Sequence, residues 1–204
     1  MRRTKEEASQ TREAIFEAGL QVFSEKGFAA ATMSDVAKAA GTTRGAIYWH
    51  FSTKEELFRE ILGRLSAAYQ TILEEAHASR EPFLETLRAT IRKLLRRFRD
   101  DTRWKQMQEL VIRSAFIRDG MVPANPRDLV EELPVRVFNE AKKRGEIWQD
   151  WESETAVMAI GSALTGIFVE VVQQQLELSD RQIDELCDFI IRGIAPRQGD
   201  RCEG

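Results

Sequence analysis

Apolar side chains recur every three or four positions along nearly the whole of this chain, and no extended run of Val, Ile and Thr alternates at every second position. A strand that buries one face needs period two, whereas a helix needs 3.6. The pattern therefore restricts the fold to helices packed on helices.

The punctuation fits that reading. Residues 11–26, "TREAIFEAGLQVFSEK", place Ile15, Gly19, Val22 and Phe23 on one stripe, with Phe16 and Leu20 widening it, and Gly27 closes the helix. Thr32 with Asp35 caps a short helix through 40, which Gly41 ends; a second short helix runs from about 43 to 50. "STKE" at 52–55 reads as a capping box, Ser52 with Glu55, opening a helix to about 78. Pro82 suits the first residue of a basic helix over 83–99, and another helix covers 102–118. "DGMVPANP" (119–126) is a loop. A helix over 127–144 is bent at Pro134 and stopped by Gly145. A long apolar helix follows over 153–176, and Ser179 with Gln182 opens a last one to about 193, before the frayed tail "RQGDRCEG". The expectation is an all-α chain of about nine helices.

The 204 residues are 43% hydrophobic and 31% charged, as in a soluble globular protein of one large or two modest domains. No stretch approaches 18 consecutive apolar residues, so no membrane span is expected, and "MRRTKEEASQ" lacks the apolar stretch of a secretory signal. Cys187 and Cys202 are too few and too far apart for a disulfide framework, which favours the cytoplasm. The net charge of −3 is unevenly spread. Residues 1–64 hold ten Lys/Arg against nine Asp/Glu; the other 140 hold twenty against twenty-four.

The chemistry concentrates in "TTRGAIYWHFSTKEEL", residues 42–57. Ala37, Gly41 and Ile47 have the types and spacing of a helix-turn-helix: a small residue at the crossing, a turn residue that tolerates positive φ, and an apolar plug. Phe51 and Val36 complete that core. On the rest of the second helix, Arg44 can reach guanine O6 and N7, and the methyl groups of Thr42 and Thr43 can touch thymine. Gly45 lets the backbone approach a duplex, while Tyr48 and His50 can donate to phosphate oxygens. Lys54, in the first turn of the next helix, is expected to face a phosphate. Trp49 fits core or protein contact as well as DNA contact, His50 fits a helix C-cap, and Arg44 fits a solvated helix start.

Residues 11–62 resemble the DNA-binding domain of the TetR family of bacterial transcriptional regulators. "TRGAIYWHF" with "KEEL", and the opening "RRTKEEASQTREAI", are most similar to the AcrR/TtgR type, which represses multidrug-efflux operons. The resemblance implies a cytoplasmic homodimer that recognises a palindromic double-stranded DNA operator and is released by a small hydrophobic effector. It implies a three-helix DNA-binding domain over 1–55, a helical effector and dimerisation domain over 56–195 and a tail over 196–204. Its usual DNA contacts fall on Thr32, Thr42, Thr43, Arg44, Gly45, Tyr48, His50 and Lys54. Residues 102–116 resemble the subgroup's sixth helix, whose usual His-Lys-Cys-Glu-Phe ending reads Ile-Arg-Ser-Ala-Phe at 112–116.

In the remainder, small residues at 161–163 and Gly166 allow close helix packing. Gly161, Leu164, Phe168, Ile183, Leu186, Phe189 and Ile190 are candidates for the dimer interface, with an intramolecular core as the other reading. Phe83, Phe98, Trp104, Met107, Phe116, Met158 and Phe168 are candidates for an effector pocket. Arg88, Arg92, Lys93, Arg96, Arg97 and Arg99 form a basic helix face, paired with Glu81, Glu85, Asp100 and Asp101 or open to an acidic ligand. With two histidines and no glycine-rich phosphate loop, nucleophile elbow or HExxH, neither catalysis, nor a metal, nor a cofactor is expected. A second functional class remains beside the repressor: a DNA-anchored adaptor that acts through protein–protein contacts without a small ligand.

Overall fold

The computed structural model describes residues 5–115, 133–174 and 176–196. Among these residues it has nine helices and no strand: α1 (Lys5–Lys26), α2 (Met33–Ala39), α3 (Arg44–His50), α4 (Lys54–His77), α5 (Phe83–Asp100), α6 (Thr102–Ala115), α7 (Leu133–Lys143), α8 (Ser153–Gln174) and α9 (Asp180–Ile194). The all-α expectation holds. α1 starts at Lys5, six residues before the segment 11–26 that the apolar stripe marks, and its first turns face solvent. The expected loop over 119–126, positions 116–118 and 127–132, and the tail from 197 lie outside the described residues. Pro134 belongs to α7, and the stretch before Leu133, on the other side of the expected bend, lies outside the described residues.

The chain divides into two compact units, one of residues 1–66 with 106–129, the other of 67–105 with 130–204. In the first, Ile15, Phe16, Leu20 and Phe23 of α1 are buried, as are Ile47, Phe51, Leu57, Phe58 and Ile61. Phe23, Phe28 and Phe58 form a ring cluster with centroid separations of 4.7–6.0 Å. Gly19 brings α1 against the start of α4: a Cβ there would stand 2.5 Å from Leu57 Cδ2. The turn after α2 uses Gly41 at φ 61°, a conformation that L side chains rarely adopt. The Gly41 N–H donates to the Lys38 carbonyl (3.2 Å) and the Thr42 N–H to the Ala37 carbonyl (3.0 Å), the paired bonds of a Schellman motif.

The cap of α4 is shifted by one residue from the expected box. Thr53, not Ser52, accepts from the Glu56 N–H (3.1 Å), and Glu56, not Glu55, accepts from the Ser52 N–H (2.7 Å). Two hydroxyl residues in succession offer two registers, and Leu57, fully buried, selects the one that points it inward.

In the second unit, α5 and α9 run antiparallel and are joined by an ion-pair ladder. Arg88 pairs with Asp188, Arg92 with Asp184 (2.7 Å), and Arg96 (3.3 Å) and Arg99 (3.0 Å) with Asp180. The basic face of α5 thus finds most of its anions on α9. The local partners are Asp100 for Arg99 and Asp101 for Arg97, while Lys93 pairs with Glu75 of α4. Behind the ladder lies Cys187, fully buried, its Sγ 4.0 Å from the Arg88 carbonyl oxygen; burial pushes the thiol pKa up. Phe98 stacks on Phe168 at 4.4 Å, and the Phe83 and Phe138 rings meet edge to face at 4.8 Å.

α8 departs from the sequence reading. It is long and apolar enough, by length and composition, to cross a membrane: one 18-residue window reaches a mean hydropathy of 1.8, and only 17% of that window is buried. Gly161, Ser162, Thr165 and Gly166 interrupt its apolar run without adding charge, so the helix is apolar on average without being continuously so.

Candidate nucleic-acid interface

α3 has seven residues, too few to be stable alone. It is held at both ends. At its start, Thr43 in extended backbone (φ −85°) accepts from the Ala46 N–H at 3.1 Å. At its end, the carbonyl of His50 accepts from Arg12 Nη1 of α1 at 2.9 Å. The same guanidinium pairs with Glu60 of α4 and lies 4.3 Å over the Phe51 ring. Glu60 also receives Arg64 (2.7 Å), which forks onto Glu13 of α1 (2.7 and 2.9 Å) and covers the Phe16 ring. Between these ends Ile47 is completely buried, which leaves the opposite face of the helix outward.

That outward face carries most of the expected residues. Arg44 and Gly45 are exposed, Tyr48 is 45% exposed and Trp49 73%. Trp49 is therefore not a core residue. Its ring meets the His50 ring edge-on at 4.6 Å, and His50 is half-buried. Thr43 is exposed but its hydroxyl oxygen accepts the cap bond; Thr42 is half-buried in the turn. Thr32 is exposed and caps α2, accepting from the Asp35 N–H (3.1 Å) while its own hydroxyl donates to Asp35 Oδ2 (2.7 Å). Lys26 bonds the other Asp35 oxygen at 2.6 Å. This bond first, then those from Thr32, holds the Asp35 pKa down at about 2.

Lys54 is not where the sequence places it. Its Nζ turns inward and donates to the main-chain oxygens of Phe28 (2.9 Å), Ala29 (3.1 Å) and Ala31 (3.2 Å), 4.6 Å from the centroid of the Phe28 ring. The expectation of a phosphate ligand rested on its position in the first turn. A long stem can reach back over that turn, and three converging carbonyls satisfy an ammonium completely.

The expected effector residues scatter. In the second unit a cavity of about 640 Å³ lies between the end of α4, the start of α5 and α7. Among the described residues of the expected set only Phe83 lines it, beside Leu73, Leu87, Val137 and Phe138. Phe98 and Phe168 stack on each other in the core. Trp104 is fully buried between the Tyr69 ring (4.8 Å) and the Arg97 guanidinium (4.2 Å), its indole N–H without a hydrogen-bond partner. Met107 is buried in the first unit, Met158 is 44% exposed on α8, and Phe116 lies outside the described residues. Aromatic content marks buried volume, and a cavity is volume left unfilled, so the two need not coincide. The polar edge holds Glu146, which accepts from the Phe83 N–H (2.6 Å) and from Arg144. Burial alone would raise that carboxyl; the Arg144 and Phe83 bonds outweigh it and lower its pKa.

The expected dimer residues divide as well. Phe168, Ile183 and Ile190 are buried within the monomer and are corrected to its core. The 3–4–7 spacing identifies a buried stripe without saying what buries it. Gly161, Leu164 and Leu186 are half-buried, and Phe189 is 76% exposed.

Residues 15–61 match the profile of "Bacterial regulatory proteins, tetR family". The repressor BepR of Brucella suis is 34% identical over 176 residues, covering 83% of this chain and 84% of that protein. Among solved structures, a SmeT–triclosan complex superposes with a TM-score of 0.80 at 23% identity, covering 93% of both chains. NalD, described as the secondary repressor of the MexAB-OprM multidrug efflux pump in Pseudomonas aeruginosa, gives 0.79 at 23% identity, covering 94% of this chain and 98% of that one.

Proposed function

This chain belongs to the tetR family of bacterial regulatory proteins, and from that premise we propose that it is a dimeric, cytoplasmic repressor that leaves a palindromic operator when a small hydrophobic effector binds. Residues 1–55 form its DNA-binding part, 56–195 its effector and dimerisation part, and 196–204 a tail. Arg44 reads base edges from the major groove, helped by Thr42, Thr43 and the bare backbone at Gly45. Tyr48, Trp49, His50 and Thr32 stand at the sugar-phosphate walls. The single observation that carries this reading is the outward face of α3, anchored at both ends and opposite a fully buried Ile47.

Phe189, Leu186, Leu164, Gly161 and Met158 make the apolar surface against a second copy, which accounts for the low burial of α8 without a membrane. The effector occupies the 640 Å³ cavity beside Phe83 and Phe138. That unfilled volume favours a ligand-responsive regulator over an adaptor without a ligand. The regulated process is multidrug efflux, by analogy with NalD, and triclosan, the partner of SmeT, is a reasonable first probe.

The test is selection of bound sequences from a random duplex pool by the purified protein. An inverted repeat with half-site centres about 34–36 Å apart is expected. A pool that emerges without any enriched sequence would remove the reading.

A further inference from the structure

A lysine in the first turn of α4, beside the recognition helix, has the position of a phosphate ligand, and the geometry assigns it a different task. We propose that Lys54 is a positioning residue: it clamps the connection between α1 and α2 to the start of α4, and thereby sets where Thr32 and α2 stand against DNA. The inference rests on the DNA-binding reading of this face and adds to it a residue that works without touching DNA.

Three observations carry it. The ammonium has three protons, and three main-chain oxygens, of Phe28, Ala29 and Ala31, lie at 2.9, 3.1 and 3.2 Å, so a phosphate would have to displace bonds already made. The Phe28 ring packs under the ammonium and belongs to the same aromatic cluster as Phe23 and Phe58, so the clamp is tied to the core on both sides. The cation also stands at the first position of α4, where the helix dipole disfavours positive charge. An arrangement that is unfavourable for the helix is offset by bonds to carbonyls of the connection, which has no helical bonds of its own to satisfy them.

The consequence is specific. The held connection leads directly into Thr32, whose cap bond starts α2, and α2 packs on α3 across the Gly41 turn. Releasing the connection lets the two helices of the reading head shift together.

The experiment uses the whole protein, its Lys54→Met and Lys54→Arg variants, and the Arg44→Ala variant for comparison. Each is titrated with the selected operator and with a short random duplex over a range of salt, at a temperature where circular dichroism shows every variant fully folded. Lys54→Met is expected to bind the operator several-fold more weakly with an unchanged slope of log affinity against log salt, and Lys54→Arg to recover part of the loss. A slope reduced by about one unit in Lys54→Met, with an unchanged melting temperature, would make Lys54 a phosphate ligand and overturn the proposal. Unchanged operator affinity in the folded variant would reduce the lysine to a stability role and overturn it equally. Failure of the parent protein to bind either duplex would remove the DNA-binding reading instead. The clamp is then read from its own signature: a slowly exchanging ¹⁵N ammonium signal of Lys54 at neutral pH, whose absence would show that the clamp itself does not exist.

Discussion

Arg92 of α5 and Asp184 of α9 meet at 2.7 Å as the middle rung of a ladder whose other rungs follow one helical turn away in each direction. Residues four apart on one helix face residues four apart on an antiparallel partner, so a single relative position satisfies every rung. Each pair is a third or more exposed on at least one side, so solvent screens every rung and the register matters more than the strength of any one pair. Asp184→Arg is expected to lower the melting temperature, the paired exchange Arg92→Asp with Asp184→Arg to recover most of it, and added salt to narrow the difference. Thermal melts at low and high salt check this. A double variant no better than the single one would mean that the rungs do not act as pairs.

Arg44→Ala and Tyr48→Ala remove exposed side chains with no share in the core. Operator affinity should fall by about 1–3 kcal/mol for a base-reading arginine, with the melting temperature unchanged. A fluorescence anisotropy titration measures the first and calorimetry the second.

The Asp35 carboxyl, held at about 2 by Lys26 and then Thr32, binds its proton less readily when folded than at its ordinary 3.8. Its contribution to stability is therefore complete above about pH 4 and is lost as the pH falls through that window toward 2. A side-chain carboxyl titration by NMR should find the depressed midpoint in the parent protein. In Thr32→Ala the midpoint should move up, with a loss of about 1 kcal/mol from the missing cap.

Gly19→Val puts a branched side chain where Leu57, fully buried, already stands 2.5 Å from a single added carbon. Overpacking of this kind costs about 1–3 kcal/mol. Urea denaturation should show the midpoint shifted down and the slope unchanged.

Ala76→Phe fills part of the α4–α5–α7 cavity from a half-buried position on its wall. Operator affinity should be retained while release by triclosan requires more ligand. Equal release by the parent and the variant would place the effector elsewhere.

The helices and the turn between α2 and α3 were legible in the sequence because both are local. Thr32, Gly41 and Ser179 act on neighbours three to five residues away, and their bonds are found as the spacing implies. The α4 cap slipped by one residue because Ser52 and Thr53 are equally able to cap, and the choice was made by burial of Leu57. What sequence could not supply were partners distant in the chain. Asp184 is 92 residues from Arg92, and the oxygens that take Lys54 belong to backbone that no side-chain pattern marks. The same limit applies to the cavity: Phe83 and Phe138 come from segments 55 positions apart, and periodicity tells which face of each is apolar without telling how far apart the faces stand.

Cys187 lies sealed behind the Arg–Asp ladder, in contact with the α5 backbone at Arg88. Both its inaccessibility and its raised pKa keep the reactive thiolate scarce until α5 and α9 separate. Chemistry at this sulfur is thus gated by the parting of two helices, which makes the residue a natural clock for how often that half of the molecule breathes.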